Sequence, residues 1–368
     1  MEKQARPNKM TQEISMNANA PSPYTGLINT LRSKIETTLS DWIVPEGRSF
    51  AILDFPHHNN IGDSAIYVGQ MSYLRKRNLF PAYVAPISKF DAEEMASAIG
   101  DGPIYIHGGG NLGDLWPWFQ NFKEQILEQY KGREIVQFPQ SIHFSSQKNI
   151  DEMARKIEGH GNYKLLVRDE PSFELAKKSF QCDVRLCPDM AFCIPPIARP
   201  NPAYEILLHL LEDQEAKTSY DTAALLKHAG ILQRDWPNEG KQKKLALYAQ
   251  SFAQSFFSDN GFRGRNKLIA SFYAQLATLR FFRGVGILGQ AKCVVTDRLH
   301  GHIMCTLLGI PHAVLDNSYG KISRFMAAWG TGVDHTYPVT TLNEAIHILC
   351  EKERLNLDIS KAEFPTAA

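Results

Sequence analysis

Residues 292–316, KCVVTDRLHGHIMCTLLGIPHAVLD, carry the two patterns that decide the fold. The ends of this stretch, KCVVTD (292–297) and HAVLD (312–316), are short and mostly apolar, as expected for strands that are buried on both faces of a sheet. The middle, RLHGHIMCTLLG (298–309), predicts a helix. A strand, a helix and a strand in this order predict two parallel strands joined by a right-handed crossover.

The same alternation extends over most of the chain. Apolar runs predict further strands at 48–55, 81–86, 103–110, 134–141, 164–169, 183–190 and 204–211. Helical periodicity predicts helices at 27–42, 64–77, 91–99, 117–130, 148–158, 171–179, 243–254, 266–283 and 341–355. The predicted fold class is therefore α/β with parallel sheets.

Four prolines in CIPPIARPNPAY (193–204) interrupt this alternation and predict a linker. We expect a mobile tail over residues 1–24, an N-terminal Rossmann-like domain over 25–195 and a C-terminal Rossmann-like domain over 200–355. The two domains would face each other across a cleft. Ligands of open α/β sheets bind beyond the carboxyl ends of the strands, so the loops at those ends are the candidate sites.

Composition excludes several classes of protein. The 368 residues contain 40 Lys and Arg against 39 Asp and Glu, which disfavours a dedicated nucleic-acid binder. No apolar run reaches the roughly 18 residues of a transmembrane helix, and the N-terminus lacks the apolar segment of a secretory signal. The six cysteines are few for this length and indicate reduced thiols in a cytoplasmic protein. Their spacing matches no zinc site, so no metal is expected.

Two loops that follow predicted strands could grip a polar ligand. FPHHNNIGDS (55–64) places His57, His58, Asn60 and Asp63 at a strand end, although a capped turn would use the same residues. HGGGNLGD (107–114) contains three glycines that would let backbone N–H groups approach phosphate or sugar oxygens.

The tetrapeptides NIGD (60–63) and NLGD (111–114) resemble each other and predict two equivalent turns on opposite walls of one pocket. Trp116 and Trp118 follow the second turn, where an aromatic ring could stack on a sugar face. Packing in a core or an interface would explain either tryptophan equally well.

Three cationic segments predict an anion site. Arg298 and His300 open a predicted helix, whose N-terminus favours a phosphorylated anion; a plain helix cap by Thr296 or Asp297 is the alternative. Arg168 ends an apolar strand, so it either pairs with Asp169 or faces an anionic ligand. Lys321, after the strand 312–316, would lie alongside.

Residues 256–283 mix phenylalanines with Arg and Lys. One interpretation is an amphipathic helix that contacts an anionic membrane surface. The other is a helix with one face in the core and a solvated basic face.

Seven segments, taken in order, resemble the polysaccharide pyruvyl transferases over roughly residues 48–330. They are NNIGD (59–63), HGGGNLGD (107–114), FPQS (138–141), VRDEPS (167–172), CPDMAF (187–192), TDRLHGH (296–302) and GIPHAVLDNSYGK (309–321). The resemblance implies two Rossmann-like domains in a GT-B-like arrangement. It also implies transfer of the enolpyruvyl group of phosphoenolpyruvate, a co-substrate, onto a sugar of an exopolysaccharide or its lipid-linked precursor, which yields a pyruvate ketal without a cofactor.

The resemblance further implies roles for individual residues. The C-terminal domain would be the donor side and the N-terminal domain the acceptor side. The expected donor-binding residues are Arg168, Arg298, Leu299, His300 and Lys321. The expected acceptor-binding residues are Asn60, Asp63, Gly109, Gly110, Asn111, Asp114 and Trp116. The expected catalytic residues are His300, Arg298 and Asp63.

The expected partners are phosphoenolpyruvate and a lipid-linked oligosaccharide, with no nucleic acid. The expected location is the cytoplasm, with peripheral contact at the inner membrane as an extension of the basic-aromatic interpretation. The segment 210–215, LLEDQE, departs from the family because it lacks an expected Arg. Two alternatives therefore stay open: a GT-B glycosyltransferase that uses a nucleotide sugar, and a non-catalytic subunit of a polysaccharide assembly complex.

Overall fold

Two sheets of parallel strands, each flanked by helices, build the described part of the chain. The computed structural model describes residues 22–211, 220, 222–237, 239–257, 261, 266–316 and 320–357. The predicted tail up to residue 21 and the unassigned residues 212–219 lie outside these ranges. The α/β class with parallel sheets is confirmed.

The first sheet has seven strands and occupies the first half of the chain. Its strands are β1 (Ala51–Leu53), β2 (Tyr83–Ala85), β3 (Ile104–Ile106), β4 (Gly109–Gly113), β5 (Ile135–His143), β6 (Tyr163–Val167) and β7 (Asp183–Leu186). They are ordered β2-β1-β3-β5-β6-β7, and β4 pairs with the far end of β5. The predicted strand 103–110 therefore belongs to two strands: β3 pairs with β1 and with the start of β5, and after the glycines β4 pairs with the later part of β5.

Six helices belong to this half. They are α1 (Thr25–Leu39), α2 (Ile61–Arg75), α3 (Ala92–Ile99), α4 (Pro117–Gln129), α5 (Gln147–His160) and α6 (Glu170–Ser179). Local chemistry starts two of them: Asn60 caps α2 through Gly62 N (2.9 Å), and Asp169 caps α6 through Ser172 N (3.0 Å). Both helices therefore begin directly at the strand ends where a ligand would bind.

The second sheet has five strands, ordered β12-β11-β10-β8-β9. They are β8 (Tyr204–His209), β9 (Ile231–Gln233), β10 (Ala291–Thr296), β11 (His312–Leu315) and β12 (Thr336–Val339). Its helices are α7 (Lys241–Phe257), α8 (Lys267–Leu288), α9 (Leu299–Leu308), α10 (Lys321–Trp329) and α11 (Leu342–Lys352). The sequence patterns did not predict β9, α10 or β12, which are short.

An apolar interface joins the two halves. Helix α2 of the first half packs against α8 and α9 of the second. A Cβ placed on Gly284 would lie 2.5 Å from Cγ2 of Ile61 and 2.9 Å from Cε of Met304, so the helices approach closely at this glycine. One hydrophobic cluster contains residues of both halves, and it fixes the position of one sheet relative to the other.

The folded chain begins earlier than the predicted tail boundary at residue 24. Tyr24 is fully buried, and its hydroxyl donates to His335 O (2.8 Å) in the second half. Helix α1 then crosses to the first half, where Arg32 Nε donates to Phe192 O (2.7 Å). The boundary of 24 is therefore wrong at its last residues, because a tyrosine that buries its ring and satisfies its hydroxyl stabilises the fold.

Candidate active site

A cavity of about 400 Å³ opens between the carboxyl ends of the two sheets. Both halves contribute to its wall. The lining residues are His58, Asn60, Asp63, Gly110, Asn111, Trp116, Phe119, Arg168, Leu211, Trp236, Asp297, Arg298, Leu299, His300 and Lys321. Ten of them were predicted as site residues from the sequence, so the structure brings together segments that lie up to 261 residues apart, from Asn60 to Lys321.

Arg168 extends from the end of β6 and is held from behind. Its Nε donates to Ser141 Oγ (2.9 Å), and its Nη1 donates to Asp189 Oδ2 (2.6 Å). Its Nη2 lies 3.2 Å from the point where a Cβ of Gly110 would stand, and Lys321 Nζ lies 4.0 Å from the same point. Gly110 therefore leaves room beside two cations, and a side chain there would fill this space.

His300 lies in the first turn of α9 and presses on the N-terminus of α2. A Cβ on Gly62 would lie only 2.4 Å from Nδ1 of the His300 ring, so only glycine permits this approach. The Nε2 atom lies 3.4 Å from Asp189 Oδ2. Asp189 thus connects Arg168 of one half with His300 of the other.

Asp189 is fully buried and carries a negative charge between the Arg168 guanidinium and the His300 ring. Burial raises the pKa of its carboxyl, but His300, Arg168 and the N–H of Ala191 outweigh burial and hold this pKa well below its usual range. The ionised Asp189 fixes the orientation of both side chains.

Arg298 occupies the cap position of α9 and donates through Nη2 to Asp235 Oδ2 (2.6 Å). The alternative of a plain helix cap is wrong: Thr296 Oγ1 accepts from Arg298 N (3.1 Å) and is hydrogen-bonded to His209 Nδ1 (3.0 Å), and Asp297 Oδ1 accepts from Leu211 N (2.7 Å). No side chain in the described part of the chain caps α9. The positive end of this helix therefore faces the cavity, where it favours an anion.

Asp297 is a lining residue whose chemistry the sequence did not predict. Burial raises the pKa of its carboxyl to about 6, against the opposing effects of the Leu211 N–H and the Arg298 charge. A carboxyl with this pKa is partly protonated near neutral pH, so it can donate a proton as well as accept one.

The opposite wall carries amide and carboxylate groups. Asn60 and Asp63 belong to the start of α2, and His58 Nε2 lies 3.6 Å from Asp63 Oδ2. Trp116 is 40% exposed and Phe119 lies behind it, in edge contact with His58 (ring centroids 6.1 Å apart). Trp118 is 65% exposed but does not line the cavity. This wall offers hydrogen-bonding groups and one aromatic face.

Asn111 is positioned by a buried polar network under this wall. Lys123 Nζ donates to Asn111 Oδ1 (2.9 Å) and to Asp54 Oδ2 (3.2 Å). Gln140 Nε2 also donates to Asn111 Oδ1 (2.9 Å), and Asn111 Nδ2 donates to Asp54 Oδ2 (3.2 Å). Asp54 has a φ of 62°, a strained conformation that this network maintains at the end of β1.

Two predicted acceptor residues lie outside the cavity wall. Asp114 accepts from Ser145 N (2.8 Å) and Asn149 Nδ2 (2.6 Å), so it organises the start of α5 instead. Gly109 lies behind the wall, where a Cβ would come 3.4 Å from Asp63 Oδ1. The prediction of two equivalent turns is also wrong: NIGD starts a helix, whereas NLGD is the end of strand β4 and the residue after it.

The residues that sequence reasoning missed mostly hold others in place. Asp189, Asp235 and Lys123 act behind the wall, and Trp236 packs against His209 at the wall itself, with tilted rings whose centroids are 4.0 Å apart. Two sequence signals pointed to Asp189: its place in the segment CPDMAF (187–192), and the need of a buried Arg for a counter-ion. Of the departing segment 210–215, Leu210 and Leu211 are described and the rest lies outside the described residues.

The described residues contain no group of three or more His, Cys, Asp or Glu side chains arranged to hold a metal ion. All six cysteines are unpaired thiols. Among the described helices, none combines the length and the apolar character needed to cross a bilayer.

Comparison with known proteins identifies the family. The profile of the polysaccharide pyruvyl transferases matches residues 60–319, more than half of the chain and nearly all of the cavity wall. The chain belongs to the polysaccharide pyruvyl transferase family. The resemblance seen in the seven segments is therefore confirmed.

Two relatives of this family member have names that refer to pyruvyl transferases. Pyruvyl transferase 1 of Schizosaccharomyces pombe is 29% identical over 344 residues, which cover 88% of this chain and 80% of that protein. EpsO of Bacillus subtilis, whose name assigns it provisionally to the pyruvyl transferases, is 29% identical over 315 residues, or 83% of this chain and 92% of that protein. The family and these names indicate a pyruvyl transferase enzyme.

A solved structure supports the fold. The crystal structure of a functionally uncharacterized protein of Klebsiella pneumoniae superposes with a TM-score of 0.54 at 18% identity, covering 84% of this chain and 99% of that chain. At this identity the likeness concerns the fold alone.

Proposed function

We propose that this family member transfers the enolpyruvyl group of phosphoenolpyruvate onto two hydroxyls of one sugar, in an exopolysaccharide or its lipid-linked precursor, and forms a pyruvate ketal in the cytoplasm. The two halves would act as Rossmann-like domains in a GT-B-like arrangement. The observation that carries the proposal is the convergence of Arg168, Arg298, His300 and Lys321 on one cavity whose opposite wall bears sugar-type ligands.

The donor is a small molecule with a phosphate and a carboxylate, so it needs several cations in a fixed arrangement. Arg168 and Arg298 are each held in place by a carboxylate at 2.6 Å. Nη2 of Arg168 lies beside the space that Gly110 leaves open, where a guanidinium can bind donor oxygens. Lys321 and the N-terminal N–H groups of α9, Leu299 included, add positive potential beside them.

The reaction needs one proton added to the donor and two removed from the acceptor. Protonation of the methylene carbon makes C2 of the enol ester electrophilic, and the first sugar hydroxyl forms a C–O bond there. The C2–O bond to phosphate breaks, and the second hydroxyl closes the ketal. Of the two hydroxyl protons, one balances the proton now in the methyl group and the other leaves with the phosphate.

Three residues can move these protons. Asp297, with a pKa of about 6, is the candidate donor to the methylene carbon, because a protonated carboxyl is available near neutral pH. Asp63, on the opposite wall, is the candidate base for the acceptor hydroxyl. His300, held beside the ionised Asp189, neutralises and protonates the leaving phosphate.

The acceptor sugar would lie against Asn60, Asp63 and Asn111. Amide and carboxylate groups match the donor and acceptor capacity of sugar hydroxyls. Trp116 is the exposed aromatic ring beside them, and its face suits stacking on a pyranose.

Calorimetry with phosphoenolpyruvate tests the donor assignment without knowledge of the acceptor. We expect wild-type protein to bind and the Arg298→Ala variant to bind at least ~10-fold more weakly, since a charge-assisted pair contributes about 1.5–3 kcal/mol. Arg133→Ala is the matched control, because Arg133 donates only to Gly100 and Gly102 carbonyls far from the cavity.

Phosphate release with a panel of hexosides and lipid-linked oligosaccharides then tests the transfer. Release that requires both the donor and an acceptor supports the proposal. Thermal stabilisation by a nucleoside diphosphate but not by phosphoenolpyruvate would replace it with a nucleotide-sugar transferase, since a ligand raises the melting temperature of the state it binds. Binding of neither would favour a non-catalytic subunit.

A further inference from the structure

Helix α7 buries two serines beside Leu247 and exposes a row of apolar side chains. Its buried face contains Ser251 and Ser255, which are 0% and 2% exposed. Its exposed face carries an apolar stripe, defined here as Leu245, Ala249, Phe252, Ala253 and Phe256. A surface helix of a soluble protein normally places its apolar residues toward the core and its serines toward water.

The buried serines satisfy their hydroxyls within the helix. Ser251 Oγ donates to Leu247 O and Ser255 Oγ to Phe252 O, each at 2.7 Å. The small serine side chains let α7 pack closely on α8, where Ser271 Oγ donates to Ser255 O (3.5 Å). These serines, together with Leu247 and Tyr248, which pack on the hydrophobic core, fix the orientation of α7, and the stripe faces solvent as a consequence.

The stripe is large and continuous. Leu245 is 71% exposed, Phe252 53% and Phe256 57%, and these positions recur at helical spacing along one side. The rings of Phe252 and Phe256 contact each other edge to face, with centroids 4.9 Å apart. Phe257, Leu268 and Ile269 extend the apolar surface at the far end of the helix pair, and they are 90%, 40% and 45% exposed.

The charged side chains of α7 and α8 are all basic. Helices α7 and α8 contain six Lys and Arg and no Asp or Glu. Two of the six, Arg280 and Arg283, bind the buried Glu239, and the other four are Lys241, Lys243, Lys244 and Lys267. Lysines therefore stand at both ends of α7, next to the stripe.

We propose that the stripe of α7 and its flanking lysines dock this protein on an anionic lipid bilayer. Phenylalanine and leucine side chains enter the boundary between headgroups and acyl chains, and the lysines contact anionic headgroups. A second copy of this chain fits less well, because a symmetric contact through the stripe would bring lysines against lysines.

Helix α7 lies next to the cavity, so docking through its stripe would place the cavity near the bilayer. Trp236 lines the cavity and Glu239 follows it, so α7 begins directly after the cavity wall. Tyr248 of α7 contacts His57 through a hydrogen bond, and the neighbouring His58 lines the cavity. A bilayer against α7 would therefore lie within about the length of this helix, roughly 25 Å, of the site where a lipid-linked sugar reacts.

Co-sedimentation of the full chain with vesicles tests the docking surface. Vesicles of phosphatidylcholine with a minority of phosphatidylglycerol should bind the wild-type protein, and vesicles of phosphatidylcholine alone should bind it less. The double variant Phe252→Ser/Phe256→Ser should lose at least ~10-fold in partitioning, since each large apolar side chain contributes to insertion. Lys241→Gln/Lys243→Gln should lose only the preference for the anionic vesicles.

The control is Leu226→Ser, because Leu226 is 43% exposed and lies outside α7 and α8. Equal binding by wild type and the double phenylalanine variant would overturn the proposal. So would a wild-type dimer that ignores vesicles and dissociates in the double variant, since that result assigns the stripe to a second copy. The assay contains neither donor nor acceptor, so it can fail while the proposed transferase activity stands, and the reverse.

Discussion

Different buried side chains lie beneath the two walls of the cleft. Under the acceptor wall lies an ion pair, in which Lys123 and Asp54 are 1% and 2% exposed and 3.2 Å apart. Under the donor wall lies a chain of histidines: His302 Nδ1 is 2.8 Å from His312 Nε2, and His302 Nε2 is 2.9 Å from Thr331 Oγ1. The pair beneath the acceptor wall is charged and the histidine chain is neutral, while Asp189 and Asp235 supply the counter-ions of the two donor-wall arginines.

Each set of buried groups suits the ligand expected at the wall above it. The acceptor wall displays amides beside the Asp63 carboxylate, and a buried charge pair beneath it fixes Asn111 without adding net charge at the sugar. The donor wall displays cations, and an additional buried positive charge beneath them would repel Arg298 and His300. Burial lowers the pKa of His312 to about 4 and that of His302 well below its usual value, so both imidazoles stay neutral.

The substitution Lys123→Met should have the largest effect, because it removes the cation of the buried pair beneath the acceptor wall. It leaves Asp54 buried without its counter-ion, and we expect a loss of about 3–5 kcal/mol in the free energy of unfolding. Denaturant unfolding measures it. The double variant Lys123→Met/Asp54→Asn should recover part of the loss, because asparagine tolerates the positive φ at this position. A single-variant cost below about 1 kcal/mol would contradict a supporting role for the pair.

Acid should lower the free energy of unfolding through His312, which lies beneath the donor wall. Its pKa lies below the ordinary 6.5, so the unfolded chain binds a proton more readily than the native one between about pH 4 and 6.5. The contribution to stability is complete above pH 6.5 and is lost as the pH falls toward 4, and it amounts to about 3 kcal/mol. His312→Gln should flatten the fall in unfolding free energy over this range, as measured by denaturation at several pH values. Parallel curves for the two proteins would refute this.

Gly62→Ala separates positioning from stability on the donor wall. The new methyl group would displace the His300 ring, and we expect kcat/KM for phosphate release to fall about 100-fold while the fold survives. The control is Gly286→Ala, since a Cβ at that helical position meets nothing within 4 Å. Unchanged activity in Gly62→Ala would show that the contact between His300 and α2 is dispensable.

Substitutions at Asn111 and Asp114 compare a residue that lines the acceptor wall with one that stabilises the fold behind it. Asn111→Ala should raise the acceptor KM about tenfold, because one hydrogen bond to the sugar is lost. Asp114→Ala should leave the acceptor KM unchanged and lower the melting temperature, since it frees Ser145 and Asn149 instead. Initial rates and thermal melts of both variants provide the test, and an acceptor KM raised in Asp114→Ala would reverse the assignment.

Sequence patterns predicted the strands of the first sheet because central strands are apolar over several consecutive residues. They failed at β9, β12 and α10, which are short and carry too few periodic residues for a pattern. The sequence also did not show that the apolar stripe of α7 faces solvent, because periodicity indicates that a helix has two faces but not which face is buried.

The ion-pair partners of the lining residues were harder to predict from the sequence than the lining residues themselves. Arg168 was expected to pair with Asp169 or to face an anion. Asp169 instead caps α6, and Arg168 pairs with Asp189 while it also lines the cavity. Side chains that lie beside each other in the chain compete with local backbone groups, so the counter-ion came from another strand end.

The sequence by itself determined which loops carry the chemistry, because in a parallel α/β fold polar residues directly after apolar strands must lie at one edge of a sheet. Only the tertiary structure decided which of these residues meet and what holds them. Asp189 between Arg168 and His300, and Lys123 beneath Asn111, join segments that are distant in the chain. Such pairs depend on how the two sheets pack, and no local pattern encodes that packing.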